Sequence, residues 1–371
     1  MGLLQESTNN SLLEGRLGEN SLFLGHFIMA GMAIGVAVCF PIVVRANDLN
    51  RPDPLLQQMI IPLNSGTQSV ARNQADLLLQ LGQDQLKVGA LTEAIRFWEK
   101  AIQLYRQVGD TQAEGVTLSY LGSAYQQLGR IVEAEDAFRG QLASARDTRN
   151  LLMQITASNR LARLLIQAND PGAAVSLLDS ALILANQINS RAGQAVTYTS
   201  LGILNTRLGQ LEVAMRQYQE ALSASRQAND TVSEATARNG IGDIYLALRR
   251  YPTAIDSYSQ ALTLARTNRD LFNQAYAIDG MVAALNKTGQ KQAIPPLLNE
   301  RLLLAQQSQN PQQEIAALTQ MARFYQQQGN YSQAERLFQQ AIAVAQRTQD
   351  SQQEIQLIER LTSFRRNPSA W

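Results

Sequence analysis

Nucleophilic catalysis and most zinc binding call on histidine or cysteine, and this sequence holds one of each, His26 and Cys39. Both sit in an apolar run near the N-terminus, and neither type recurs after Cys39. A Ser/His/Asp triad, a Cys/His pair, a zinc site built from His and Cys, and a disulfide framework are therefore closed to everything that follows. Asp, Glu and Lys remain for acid/base work. They are dispersed along the chain with no convergent set, the pattern of a solvated helical surface. The sequence points away from an enzyme and indicates no cofactor and no metal.

The charge balance is equally neutral about partners. The formal net charge is +1, from 32 Lys and Arg against 31 Asp and Glu, and the two signs are interspersed. No basic face announces nucleic acid, and no acidic tail announces a basic partner.

The N-terminal part separates from the rest. Residues 1–21 form a polar leader, and Leu22 to Val44 reads LFLGHFIMAGMAIGVAVCFPIVV with no formal charge, long enough to cross a bilayer core as one helix. An uncleaved single-pass anchor is the favoured reading. Val44-Arg45-Ala46 keeps open a cleaved signal, which would make the protein secreted or periplasmic. Arg16 before the segment and Arg45 and Arg51 after it leave the orientation open. Residues 45–69 carry Pro52, Pro54, Pro62 and the turn Asn64-Ser65-Gly66, and read as a linker.

From residue 70 to 350 one pattern returns every 40 residues. Leu121-Gly122 recurs as Leu81-Gly82, Leu161-Ala162, Leu201-Gly202, Ile241-Gly242, Met281-Val282 and Met321-Ala322. Phe138 recurs as Trp98, Leu178, Tyr218, Tyr258, Leu298 and Phe338. Apolar residues at helical spacing before and after Gly129 make each unit a pair of helices. The turn between them lies at Gly89, Gly129, Asn169, Gly209, Arg249, Gly289 and Gly329. Asp110, Asn150, Ser190, Asp230, Asp270, Asn310 and Asp350 share one register and are N-cap types for the next unit. In the sixth unit Pro295 and Pro296 fall inside the expected second helix, which must start late or kink. Ser351 to Arg366 begins an eighth unit and is expected as a polar capping helix, with the tail running to residue 371.

The run Leu-Gly-x-x-Tyr, Gly, Ala-x3-aromatic, Ala resembles the tetratricopeptide repeat. The spacing is six residues longer than the common form, as in the long-helix subclass of adaptors that hold extended peptides. The style also resembles membrane-tethered repeat proteins of photosynthetic bacteria. The resemblance implies an all-α, right-handed superhelical solenoid of seven units and a capping helix, whose concave face, lined by the first helix of each pair, holds a protein or peptide segment. It implies a membrane-tethered adaptor, engaged in assembling a membrane complex. The rival reading is a structural protein that associates through the edge of its stack.

On that analogy the inner face includes Asn159, Thr199, Asn239, Asp279 and Thr319 in one register. It includes Arg163, Asp243 and Arg323 in a second, and Arg207 and Lys287 in a third, with Arg160 beside the first. Asn159, Arg160, Arg163 and Arg207 would give a basic middle, and Asn239, Asp243 and Asp279 an acidic continuation, able to fix the direction of an extended chain. The family's carboxylate clamp for chaperone tails uses Lys and Asn in the first two registers of one unit, and no unit here has that combination. Tyr125, Tyr245 and Tyr325 read as core.

Overall fold

The computed structural model describes residues 69–308, 310–348 and 351–366. Within them a residue of positive φ interrupts the helices every 20 positions from 89 to 289 and again at 329, and this sets the architecture. Glycine takes the place at 89, 109, 129, 209, 289 and 329, Asn at 169, 189 and 229, and Arg at 149, 249 and 269. At each such position the chain closes a left-handed helix end. Gly129 N–H donates to the Gln126 carbonyl at 3.1 Å and Arg130 N–H to the Tyr125 carbonyl at 2.9 Å. The turn inside each unit was expected there. The identical turn between units was not, because Arg149 and Arg269 disguise it.

Fifteen α-helices and no strand result among the described residues. They are α1 (Val70–Lys87), α2 (Leu91–Val108), α3 (Thr111–Gln127), α4 (Ile131–Asp147), α5 (Leu151–Gln167), α6 (Pro171–Gln187), α7 (Arg191–Arg207) and α8 (Leu211–Gln227). They continue with α9 (Thr231–Ala247), α10 (Tyr251–Thr267), α11 (Leu271–Thr288), α12 (Ile294–Gln307), α13 (Pro311–Gln327), α14 (Tyr331–Arg347) and α15 (Ser351–Arg366). Odd-numbered helices are the first members of the pairs. From α3 to α13 their N-termini are capped as the register required: Asp110, Asn150, Ser190, Asp230, Asp270 and Asn310 each accept a hydrogen bond from a backbone N–H of the first turn. Ser69 does this for α1, one position ahead of the register. Second helices start mostly without a side-chain cap, as at Ala90, Arg130, Gln210 and Arg250. The apolar segment 22–44, the linker up to residue 68 and Asp350 lie outside the described residues. Among those described, no helix is long and apolar enough to cross a membrane.

Four of the seven pairs close by a ring meeting a glycine backbone. In the fourth and fifth units the second helix presses Tyr218 and Tyr258 onto Gly202 and Gly242, where a Cβ would lie 2.6 Å from ring carbons. The following first helix approaches the same rings with Gly240 and Gly280, so each phenol is enclosed between two glycines. Phe138 meets Gly122 in the same way, and Trp98 meets Gly82 while its indole N–H donates to the Leu79 carbonyl at 3.2 Å.

First helices also touch each other, α5 with α7, α7 with α9 and α9 with α11, while every second helix packs chiefly on its sequence neighbours. Closer spacing on one side bends a stack toward that side. The row of first helices is thus its inner face, and small residues such as Ala, Gly, Ser and Thr are buried along it. In the sixth unit the two prolines produce a late start. A 3₁₀ turn, Lys291–Ala293, precedes α12, and the prolines occupy its first turn, where a missing N–H is harmless. The last helix buries Leu357, Leu361 and Phe364, the last 5.7 Å from the Phe338 ring centroid. Its outer face, expected to be polar, also carries Ile355 and Ile358.

Two substitutions test this frame in opposite directions. Gly242→Ala forces the Tyr258 ring out of place and lowers stability by about 1–3 kcal/mol. Arg249→Gly relieves a left-handed arginine (φ 58) and raises it by about 0.5–1 kcal/mol. Urea unfolding reads both; a G242A variant that unfolds at the wild-type midpoint would contradict the ring-on-backbone contact.

Candidate partner-binding groove

The inner face is where a partner segment would lie, and the structure divides the expected contact residues into three groups. Asn159, Thr199 and Asn239 are buried, between 2 and 6% exposed, and the two asparagines tie neighbouring first helices together. Asn159 Nδ2 donates to Thr197 Oγ1 of the next first helix at 2.9 Å, and Asn239 Nδ2 to Asn273 Oδ1 at 3.1 Å. Thr199 Oγ1 donates to its own helix at Ala195 O, 2.8 Å. The first register thus points between neighbouring helices rather than into the open face, which corrects the sequence-based placement of these three residues. Thr319, in the same register, is buried as well.

A second group is charged but held by other side chains. Arg160 reaches back to the preceding unit, where Nη1 donates to Ser119 Oγ at 2.6 Å and Ser123 Oγ at 3.1 Å. Asp279 pairs with Arg301 at 3.1 Å, and Arg301 is itself 3% exposed and also donates to Gln313. Asp243 accepts from the Tyr258 hydroxyl at 2.6 Å and from the Tyr276 hydroxyl at 2.7 Å, one bond to each carboxylate oxygen. Burial pushes its pKa up to about 6, although both phenol bonds act the other way. The same burial, with the Asp243 charge, raises the phenols of Tyr218, Tyr258 and Tyr276 well above their ordinary value.

The third group faces solvent. Arg207, Lys287 and Arg323 are exposed and Arg163 is partly so. The expected alternation of a basic middle and an acidic continuation therefore does not survive folding. At the expected contact positions the acids are engaged by tyrosines or arginine, and the exposed charges are the cations Arg207, Lys287 and Arg323. Tyr125 is buried, and Tyr245 and Tyr325 are partly buried, as core residues. Asn205, in their register, donates to its own helix at Leu201 O, 2.9 Å. Tyr276, Thr197 and Asn273 escaped the sequence reading. Their role rests on partners in the adjacent unit, which a single-unit register does not display. Among the described residues no group of His, Cys, Asp and Glu has the arrangement of a metal site.

Family models of the tetratricopeptide repeat match residues 73–146, 153–227, 206–269 and 315–348, together more than half of the chain. Among curated proteins none matches in sequence. The fold is similar to a Rap protein complexed with Competence and Sporulation Factor (TM-score 0.58, 16% identity, 80% of this chain and 84% of that one). It is similar to the apo form of RapI (TM-score 0.55, 13% identity, 74% and 99%). It is also similar to a Signal Transduction ATPase with Numerous Domains protein with a tetratricopeptide repeat sensor from Pyrococcus horikoshii (TM-score 0.51, 14% identity, 76% of this chain). There the match spans 44% of the longer protein. At these identities the likeness speaks of the fold alone.

The Asp243 carboxyl gives a pH signature. Its pKa in the folded chain lies above its ordinary value of 3.8, so the native state holds the extra proton between about pH 4 and pH 6. Stability at this site falls as pH rises through that window and is flat above it. Relative to the wild type, Asp243→Asn gains up to about 2–3 kcal/mol between pH 4 and pH 6 and nothing further above. Denaturant titrations at stepped pH check this, and a constant difference between the two proteins refutes it.

Proposed function

We propose that this chain, which belongs to the tetratricopeptide repeat family, is a protein–protein interaction adaptor that holds an acidic segment of a partner against the row of first helices. The observation that carries the reading is the charge sorting on that row: Asp243 and Asp279 are occupied by Tyr258, Tyr276 and Arg301, while Arg207 and Lys287 stand open. Open cations on a rigid inner face favour an extended chain bearing carboxylates and steer its approach. The Rap protein of the same fold is a complex with another factor, which agrees with a binding role for such stacks. Residues 22–44, charge-free over a bilayer-spanning length, would tether the stack to a membrane and place the adaptor in the assembly of a membrane complex.

Peptides selected from a display library on the wild-type stack are expected to be rich in Asp and Glu. They should bind the Arg207→Glu, Lys287→Glu double variant at least ten-fold more weakly by fluorescence anisotropy, with an unchanged helical circular dichroism signal. Equal affinity for the two proteins, or selected peptides without acidic bias, would sink the groove reading. The tether is tested apart from it. The full chain is expected to stay in the membrane pellet after alkaline carbonate extraction, and a chain lacking residues 22–44 to be soluble. Release of the full chain by carbonate would remove the anchor.

A second reading has its own support. Val70 and Leu77 on α1 and Ile355 and Ile358 on α15 leave apolar side chains exposed on the two terminal helices of the stack. Association between copies through those ends would appear as concentration-dependent sedimentation.

A further inference from the structure

The last full unit repeats an arrangement found in the second unit, with one change that leaves it unbalanced. In the second unit, Arg160 of the following first helix crosses 41 residues back to Ser119 and 37 back to Ser123, and both hydroxyls accept from its Nη1. The 37-residue step is a general contact between neighbouring first helices; Asn273 Nδ2 meets Thr236 Oγ1 over the same interval at 3.0 Å. Five units further on, the same three places are held by Thr319, Arg323 and Arg360. A hydroxyl has become a guanidinium, so a second cation now stands where Arg160 found an acceptor.

Three observations show the consequence. Thr319, 7% exposed, has a buried Oγ1 with no hydrogen-bond partner, unlike Ser119. Arg323 and Arg360 are exposed and make no ion pair among the described residues. Arg323 is held below the ordinary arginine pKa first by loss of hydration and then by the Arg360 charge, so the two guanidiniums feel each other. Glu314, Glu335 and Glu354 are bonded to other side chains, Arg347, Arg365 and the Gln346 amide.

We propose that Arg323 and Arg360, beside the buried hydroxyl of Thr319, form a binding site for a phosphate dianion, free or carried as a phosphomonoester. Two unpaired cations call for two negative charges, and guanidinium forks match the oxygens of a tetrahedral phosphate. A single carboxylate would leave one positive charge uncompensated. Bound between the arginines, the dianion offsets their mutual repulsion. Arg360 can then close over Thr319 and give the orphan hydroxyl the bond that Ser119 already has. The site lies at the C-terminal end of the inner face and does not depend on whether a peptide occupies the groove around Arg207.

The test is calorimetric titration of the full-length chain with inorganic phosphate, O-phosphoserine and acetate at pH 7.5 and fixed ionic strength. Saturable one-to-one binding of inorganic phosphate or O-phosphoserine is expected, weakened at least ten-fold by Arg323→Gln and by Arg360→Gln and unchanged by Arg207→Gln. Without ligand, R323Q and R360Q are each expected to melt no lower than the wild type, because each removes the repulsion, and this also verifies their folding. Tighter binding of O-phosphoserine assigns the site to a carried phosphoryl group, and tighter binding of inorganic phosphate to the free ion. Acetate binding as strongly as either phosphate, no saturable binding of either, or wild-type affinity in R360Q overturns the proposal.

Discussion

In four of the seven two-helix units of this chain the second helix comes close enough to the first for a large side chain to rest on bare backbone. Gly82, Gly122, Gly202 and Gly242 supply that bare backbone, and Trp98, Phe138, Tyr218 and Tyr258 fill the space above it. The contact sets the distance between the paired helices. Where Gly240 and Gly280 repeat it from the following unit, it sets the distance between units as well. Native interiors tolerate little mismatch of volume, so one added methyl at such a point is transmitted to both neighbours.

Close approach has an electrostatic result. First helices that touch one another bury polar atoms, and each of these needs a partner. Asn159 Nδ2 finds Thr197 and Asn239 Nδ2 finds Asn273 across the boundary between units, while the Oδ1 atoms of both stay unpaired. Asp243 draws hydroxyls from two different units, Tyr258 in its own and Tyr276 in the next. The open face therefore has a charge that differs from the one its composition suggests. Acids near the helix–helix seams are absorbed into the seams, and basic side chains long enough to clear them, such as Arg207 and Lys287, remain available. The near-zero net charge of the chain hides this local imbalance.

Much of the architecture was legible in the sequence. The 40-residue step, the capping residues at Asp110 to Asn310 and the glycine turns each rest on local chemistry that repeats in place. The irregular sixth unit was legible to the level of a choice, and the structure selects the late start over the kink because Pro295 and Pro296 then fall in the first turn of α12. The inner face was much less legible. Whether Asn159 is accessible depends on a threonine 38 residues away, and whether Asp243 is open depends on a tyrosine 33 residues away. A register shared by all units cannot reveal pairs that form only once. The turns between units were missed for a related reason: arginine at 149 and 269 adopts a backbone that its side chain does not advertise.

The polar pairs across unit boundaries also bear on how such a chain can be rearranged. Removing one full period keeps every helix in phase, and the apolar registers treat the units as near equivalents. The polar pairs do not. Loss of the sixth unit would bring Ala316 to the place of Tyr276 and leave Asp243 with one phenol instead of two, while Asn239 would face Gln313 in place of Asn273. Apolar packing makes the units interchangeable, and the buried polar contacts give each one an address. Duplication and shuffling of units are thereby confined to boundaries where no such contact is crossed.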